Sequence, residues 1–390
     1  MNILYLTSKP VYPIVDGGCR AMAEMLELMD ENGWHISILT ISTEKHPFRK
    51  EAFPEKFSQI ESVSISTRIR PFPALKALVS GRSYNVSRFD SLEFRAQLEK
   101  KLLSKSFDLV LFEGLYTTPY LDTCRKFSRA TLAVRTHNAE FKIWDELTHV
   151  TNGIKKWYLN KLTQSLKAYE IKALNSCDIV LALSDEDRKD LQNIGVRAPF
   201  VLIPFSLPEI ETKKDYSNPE FYFIGSMNWE PNRQAVKVLK EKIFPVIHNK
   251  IPEARLNLAG SFMKEVIRNE DESVRILGFI NDPFELFRQK GVFLCPIYSG
   301  SGIRIKLMEA LAAGATVITT SIGARGIPNA DELMIIADTD EQFIQQAIQL
   351  YKDQELRRAI GERAAQVIHE NFSRRTVSKI LKNVFESTEA

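Results

Sequence analysis

Short apolar runs alternate with amphipathic stretches along most of the chain. Ile3–Leu6, Ile36–Ile41, Leu109–Phe112, Leu132–Arg135, Ile179–Leu183 and Phe200–Ile203 are dense in apolar residues, as strands covered on both faces are. Between them, residues 21–32 place Met22, Met25, Leu26 and Met29 on one stripe. Residues 154–174 repeat Trp157, Leu159, Leu162, Leu166 and Tyr169 at helical spacing. Gly33 stands where a left-handed residue would end the first of these helices. Strand–helix alternation of this kind predicts a parallel sheet with helices on both faces. Residues 44–85 interrupt the rhythm with four prolines and several cations, and are expected to form loops, a lid or an acceptor-side surface.

Pro204, Pro208 and Pro219 lie among Glu209, Glu211, Lys213, Lys214 and Asp215, a linker composition. The rhythm then restarts. Strands are predicted at Phe221–Ile224, Leu256–Ala259, Val274–Leu277, Val292–Cys295, Val317–Thr320 and Met334–Ile336, with a helix over 232–249. Beyond Asp340 the pattern is helical, and after Asn371-Phe372-Ser373 a last helix aligns Val377, Ile380, Leu381 and Val384. The expected fold class is α/β with two doubly wound, Rossmann-like domains, residues 1–205 and 206–372. The helix 373–390 is expected to cross back to the first.

Composition narrows the function. A chain of 390 residues with 44% apolar and 26% charged residues reads as soluble and globular, and a net charge of +3 gives no reason to expect nucleic acid. Cys19, Cys124, Cys177 and Cys295 are scattered without CxxC spacing and read as reduced core thiols. The N-terminus carries no leader pattern and no apolar run approaches about 18 residues, so a cytoplasmic, non-spanning protein is expected. Lys155, Lys156, Lys161, Lys167 and Lys172 make the helix 154–174 basic, which fits a solvated face or peripheral contact at the inner face of a membrane.

In open parallel sheets, ligands bind beyond the carboxyl ends of the strands. The stretch Ser299-Gly300-Ser301-Gly302-Ile303-Arg304-Ile305-Lys306-Leu307-Met308-Glu309 sets a glycine-rich turn, two cations and a carboxylate along the start of a helix. Main-chain N–H groups there favour a phosphate, and Glu309 would suit ribose hydroxyls; an ordinary crossover with a solvated Lys306–Glu309 pair stays open. Gly225-Ser226 and Gly260 follow two further strands and permit close approach to a diphosphate. Phe279 and Ile280 suit a wall for a base. Trp229 reads as a packing residue. In the first half, Asp16-Gly17-Gly18 allow main-chain approach to a ligand or make a plain turn. His137 and Asn138 end a strand near Glu140, where the imidazole is either structural or a proton-moving group. The absence of GxGxxG argues against a nicotinamide oxidoreductase, and no cluster of Asp or His suggests a metal.

With Gly302–Gly314, Ile322-Gly323-Ala324-Arg325-Gly326, Gly225-Ser226-Met227 and Arg135-Thr136-His137-Asn138 in view, the chain resembles the family-4 retaining group 1 glycosyltransferases over essentially its full length. The resemblance implies a GT-B architecture, two Rossmann-like domains facing across a cleft. It also implies a nucleoside-diphosphate sugar in the second domain and an acceptor glycan, lipid-linked glycan or small molecule in the first. Donor-binding roles then fall to Gly225, Ser226, Gly260, Phe279, Ile280, Ser301, Gly302, Ile303, Arg304, Lys306 and Glu309. Catalytic roles fall to His137, Arg304 and Lys306, and acceptor or diphosphate contacts to Asp16, Gly17, Gly18 and Asn138. No metal or other cofactor is implied. The chain departs from the family at Ser301, where the first of two glutamates is usual; the Arg and Lys usual on the loop and helix after the second domain's first strand are also displaced, with Arg233 as a remnant and Arg304 with Lys306 as substitutes. A nucleotide-sugar epimerase and a non-catalytic protein of the same fold are the alternatives.

Overall fold

The computed structural model describes residues 1–149, 151–209, 216–217, 219–266, 272–289, 291–300 and 302–386. It divides into two compact units, one of Met1–Phe205 with the chain from Ser378 onward, the other of Ser206–Val377.

The first unit is built on seven strands, β1 (Asn2–Thr7), β2 (His35–Ser42), β3 (Ile60–Ser64), β4 (Leu109–Glu113), β5 (Thr131–Thr136), β6 (Ile179–Ala182) and β7 (Phe200–Leu202). Their order is β3-β2-β1-β4-β5-β6-β7, and every pairing is parallel. Apart from the first residues of β1 and β5, strands β1, β4 and β5 are buried throughout, which explains their continuous apolar runs. β3 is the element that the polar sequence Ile-Glu-Ser-Val-Ser conceals: it forms the sheet edge, buries only Ile60 and Val63, and so lacks the density of a central strand. It lies within the stretch 44–85, which also holds the helix Pro71–Ser80 and is therefore more ordered than its composition suggests.

The first helix runs Gly17–Glu31, starting four residues before the stretch 21–32 that its apolar stripe predicts. Asp16 is the reason. Its Oδ1 accepts a hydrogen bond from the Cys19 N–H at 2.8 Å, so the glycine pair is recruited into the first turn. Gly33 follows with φ +74°. The helix Arg374–Phe385 buries Val377 and Leu381, leaving Ile380 and Val384 partly covered. Its far end belongs to the first unit: Trp34 Nε1 donates to Glu386 at 2.7 Å, Ser378 Oγ donates to Asn32 at 2.5 Å, and the Trp34 and Phe385 rings meet edge to face.

The second unit holds β8 (Phe221–Ile224), β9 (Leu256–Ala259), β10 (Val274–Gly278), β11 (Val292–Cys295), β12 (Thr316–Thr319) and β13 (Ile335–Ile336), ordered β10-β9-β8-β11-β12-β13 and again parallel. The helix predicted over 232–249 is three pieces: Glu230–Val238, a π-helical turn Leu239–Ile243, and Phe244–Lys250. Pro245 has no N–H to donate, and the widened turn before it absorbs the missing bond. Strand order reverses between β1 and β4 in one unit and between β8 and β11 in the other, and each reversal opens a crevice at the carboxyl ends of the strands. All four cysteines are buried free thiols. No helix among the described residues is long and apolar enough to cross a membrane.

Candidate functional site

In the second unit the strand exits are built from contacts that only glycine permits. Gly260 has φ +130°, and a Cβ there would fall 1.9 Å from the Gly225 carbonyl oxygen. At Gly225 a Cβ would meet the Asn232 side chain at 2.7 Å. The β8 and β9 exits therefore touch main chain to main chain. The Gly225 N–H donates to Ala259 O at 3.0 Å, and the Met227 N–H to Ser261 O at 3.0 Å.

Asn232, 5% exposed, ties this loop together. Its Nδ2 donates to Ser226 O at 2.9 Å, and its Oδ1 accepts from Lys306 Nζ at 2.8 Å. Lys306 also donates to Ile224 O at 3.1 Å and stands 4.2 Å over the Phe223 ring. Loss of water lowers the pKa of this ammonium, and Arg304 deepens the effect. Lys306 thus lies under the Gly225-Ser226 turn, where its charge raises the potential of the N–H groups around it.

Arg304 is 5% exposed and folds back onto its own loop. Its Nη1 donates to Gly302 O at 2.6 Å and its Nη2 to Gly300 O at 2.6 Å. The two glycines take φ +79° and +101°, conformations that leave these carbonyls facing one guanidinium. The same guanidinium stacks 5.2 Å from the Trp229 ring. Trp229 is more than a packing residue: it is 38% exposed and closes over Gly300, whose Cβ would lie 3.0 Å from its Cζ2. Helix Ile305–Ala312 follows, with Glu309 buried on it and Ile303 half-buried just before it. Ser301 lies outside the described residues. Phe279, 62% exposed, and half-buried Ile280 follow β10. On the neighbouring β9 exit stands Phe262, 45% exposed with φ +62°, a conformation strained for a bulky side chain. Arg233 pairs with Glu230 at its Nε, at 2.7 Å, and donates to Met227 O at 2.7 Å, a local brace for the loop.

The first unit concentrates charge where β4 and β5 end. Glu113, the last residue of β4, is fully buried and accepts from Tyr5 OH at 2.6 Å and Arg135 Nη1 at 3.0 Å on Oε1, while Oε2 meets His137 Nε2. Burial alone would raise its pKa; Arg135 and then His137 overcome that and bring it to about 2. Nothing in the local sequence marks Glu113 or Asn232 as anything but a strand end and a helix start. Their roles come from partners 22 and 74 positions away.

Behind His137 the chain enters the helix Glu140–His149, its start gripped by two acids. Glu170 accepts the N–H groups of Glu140 and Phe141 at 2.9 and 3.0 Å, and Asp187 accepts that of Ala139 at 3.3 Å. Tyr116 OH donates to Glu140 at 3.0 Å. Burial, with Glu140 adding to it, pushes Glu170 up to about 8. Asn138 is half-buried beside them. Asp16 caps helix 17–31 and pairs with Lys9 at 2.6 Å, leaving Gly17 and Gly18 as its first residues. Among the described residues, no group of three or more His, Cys, Asp or Glu is arranged to hold a metal ion.

Two parallel-sheet α/β units of this kind define the GT-B fold. Residues 218–353, inside the second unit, match the family described as Glycosyl transferases group 1. Solved structures with the fold include sucrose-phosphate synthase from Thermosynechococcus elongatus, with a TM-score of 0.71 and 13% identity over 100% of this chain and 99% of that one. Anabaena HepE in complex with UDP and glucose gives 0.69 and 13%, covering 99% of this chain and 100% of that one. The pneumococcal O-GlcNAc transferase GtfA in complex with UDP and GlcNAc gives 0.67 and 13%, covering 99% and 98%. An uncharacterized 44.6 kDa protein in the cps region of Klebsiella pneumoniae is 24% identical, covering 98% of this chain and 99% of its own length.

Proposed function

We propose that this protein is a retaining glycosyltransferase that moves a sugar from a nucleoside-diphosphate sugar to a glycan, lipid-linked or small-molecule acceptor, in surface polysaccharide or glycoconjugate synthesis. The observation that carries the reading is the Gly225–Gly260–Asn232–Lys306 assembly at the strand reversal of the second unit, within the segment that matches the glycosyltransferase family. The Klebsiella relative from a cps region and the UDP complexes of HepE and GtfA support the pathway and the donor class.

In this reading the diphosphate sits against the Gly225-Ser226 and Gly302-Ile303 turns. As the glycosidic bond breaks, negative charge grows on the leaving phosphate, and N–H groups and cations already fixed in place stabilise it without reorganising. Lys306 contributes from beneath the turn. Arg304 keeps the 299–304 loop in shape and adds its charge. Glu309 takes the ribose hydroxyls, and Phe279 with Phe262 offers apolar surface to the base. His137, held by Glu113, is assigned a part in turnover; Asp16, Gly17, Gly18 and Asn138 are assigned to acceptor or diphosphate contacts. Catalysis needs no metal, so EDTA leaves the rate unchanged.

The test uses Trp229, which stands alone among the four tryptophans of the chain in the second unit. Titration with UDP, GDP and other nucleoside diphosphates should quench its fluorescence for one base, and the signal should vanish in Trp229→Phe. Glu309→Ala should weaken binding at least tenfold, roughly 1.4 kcal/mol. His137→Ala should bind the nucleotide as wild type does and lose turnover with the matching nucleotide sugar. Absence of binding by every nucleoside diphosphate, or wild-type binding by Glu309→Ala, overturns the assignment.

A further inference from the structure

Residues 62–89 contain five cations, Arg68, Arg70, Lys76, Arg82 and Arg88, and no carboxylate. Their centre is the helix Pro71–Ser80, of sequence PFPALKALVS, with one charge in ten residues. Its described side chains are poorly covered. Ala77 is buried, but Phe72 is 88% exposed, and Ile69 on the approach is 73% exposed. Large apolar side chains so far out of the core mark a surface that meets something else.

The segment is also firmly mounted. Tyr84 OH accepts from the Arg70 N–H at 2.7 Å and lies 3.3 Å from the Arg70 carbonyl, Arg88 donates to Thr67 O at 3.1 Å, and Arg68 pairs with Glu44 at 2.6 Å. Gly81, at φ +67°, ends the helix. Arg70, Lys76 and Arg82 remain exposed around it. Charge selects the occupant. A second copy of this helix would bring cations against cations with no acid to offset them, whereas an anionic bilayer supplies both an apolar layer for Phe72 and Ile69 and negative headgroups for the cations.

We propose that the helix Pro71–Ser80 is an interfacial anchor that lays this protein on an anionic membrane, Ile69 and Phe72 entering the acyl boundary and Arg70, Lys76 and Arg82 meeting the headgroups. The anchor belongs to the first unit and the donor site to the second. Its failure leaves the glycosyl-transfer reading intact, and the reverse holds too.

The experiment is co-sedimentation of the full chain with phosphatidylcholine vesicles prepared with and without phosphatidylglycerol, at low and high salt. Wild type should bind the anionic vesicles, release at high salt and ignore the neutral ones. The double variant Ile69→Asp/Phe72→Asp should lose about tenfold or more in binding, with an unchanged thermal transition and unchanged nucleotide binding. The tip of the helix Gly153–Leu174, where Ile154 is 87% and Trp157 56% exposed beside Lys155, is the comparison. Overturning results are no binding by wild type, equal binding by the Ile69/Phe72 variant, loss in Ile154→Asp/Trp157→Asp instead, or self-association that the Ile69/Phe72 variant abolishes.

Discussion

Glu113 and Glu170 carry the same carboxyl group into opposite titration behaviour. Glu113 faces Arg135 and His137 and is held at about 2, so its stabilising effect is complete above the ordinary glutamate range and disappears as pH falls from about 4.5 to about 2. Glu170 is buried, faces Glu140 as well and is pushed up to about 8, so the folded state keeps its proton where the unfolded chain has released it. Its effect is present at low pH and is lost as pH rises from about 4.5 to about 8. Urea unfolding across this range should therefore show the first unit weakening toward both ends, and Glu170→Gln should flatten the alkaline limb alone. Glu113→Gln strands the buried Arg135 guanidinium and should cost about 3–5 kcal/mol at neutral pH, measured by the same unfolding curves.

At the scale of elements, the exits of β8 and β9 leave no room for a Cβ at Gly225 or Gly260. Gly260→Ala puts a methyl group onto the Gly225 carbonyl and forces an alanine to φ +130°, so the two strand ends must separate. We expect a loss on the order of 3 kcal/mol in stability and of nucleotide binding together, read by thermal unfolding with and without UDP. Gly33→Ala also substitutes a left-handed glycine, at φ +74°, but it has open space around its Cβ. It should cost only about 1 kcal/mol and leave binding unchanged. Crowding, rather than glycine content, separates the two positions.

At the scale of the whole molecule, each unit is a parallel sheet with its polar apparatus at one reversal of strand order, and each has its own chemistry. The second unit offers N–H groups, glycines and buried cations suited to a diphosphate; the first offers a carboxylate–imidazole pair backed by an arginine. Hydrogen exchange should register the difference. A bound nucleoside diphosphate should slow exchange at 224–232, 260–262 and 302–309 and leave β1–β7 at their free rates. Protection spread evenly over both units would argue against a donor site confined to the second.

Periodicity determined the elements, because a strand buried on both faces must be apolar throughout and a helix over a sheet must carry a stripe; the alternation of the two then implied two doubly wound sheets. Where burial was partial the pattern faded, as at the edge strand β3 and at the glycine-led start of helix 17–31, whose boundary is set by the Asp16 cap. Glycines at strand ends were visible as a local pattern. What tertiary structure alone decided is which side chains meet. Lys306 reaches Asn232 and Glu113 reaches Arg135 and His137 because parallel crossovers return distant segments to one sheet edge. Arg304 turns onto Gly300, Gly302 and Trp229 because a left-handed loop points its carbonyls inward. One-dimensional spacing holds no record of the long-range meetings, since those distances exist only after the sheets have formed, nor of the loop's left-handed turn, which its backbone conformation sets.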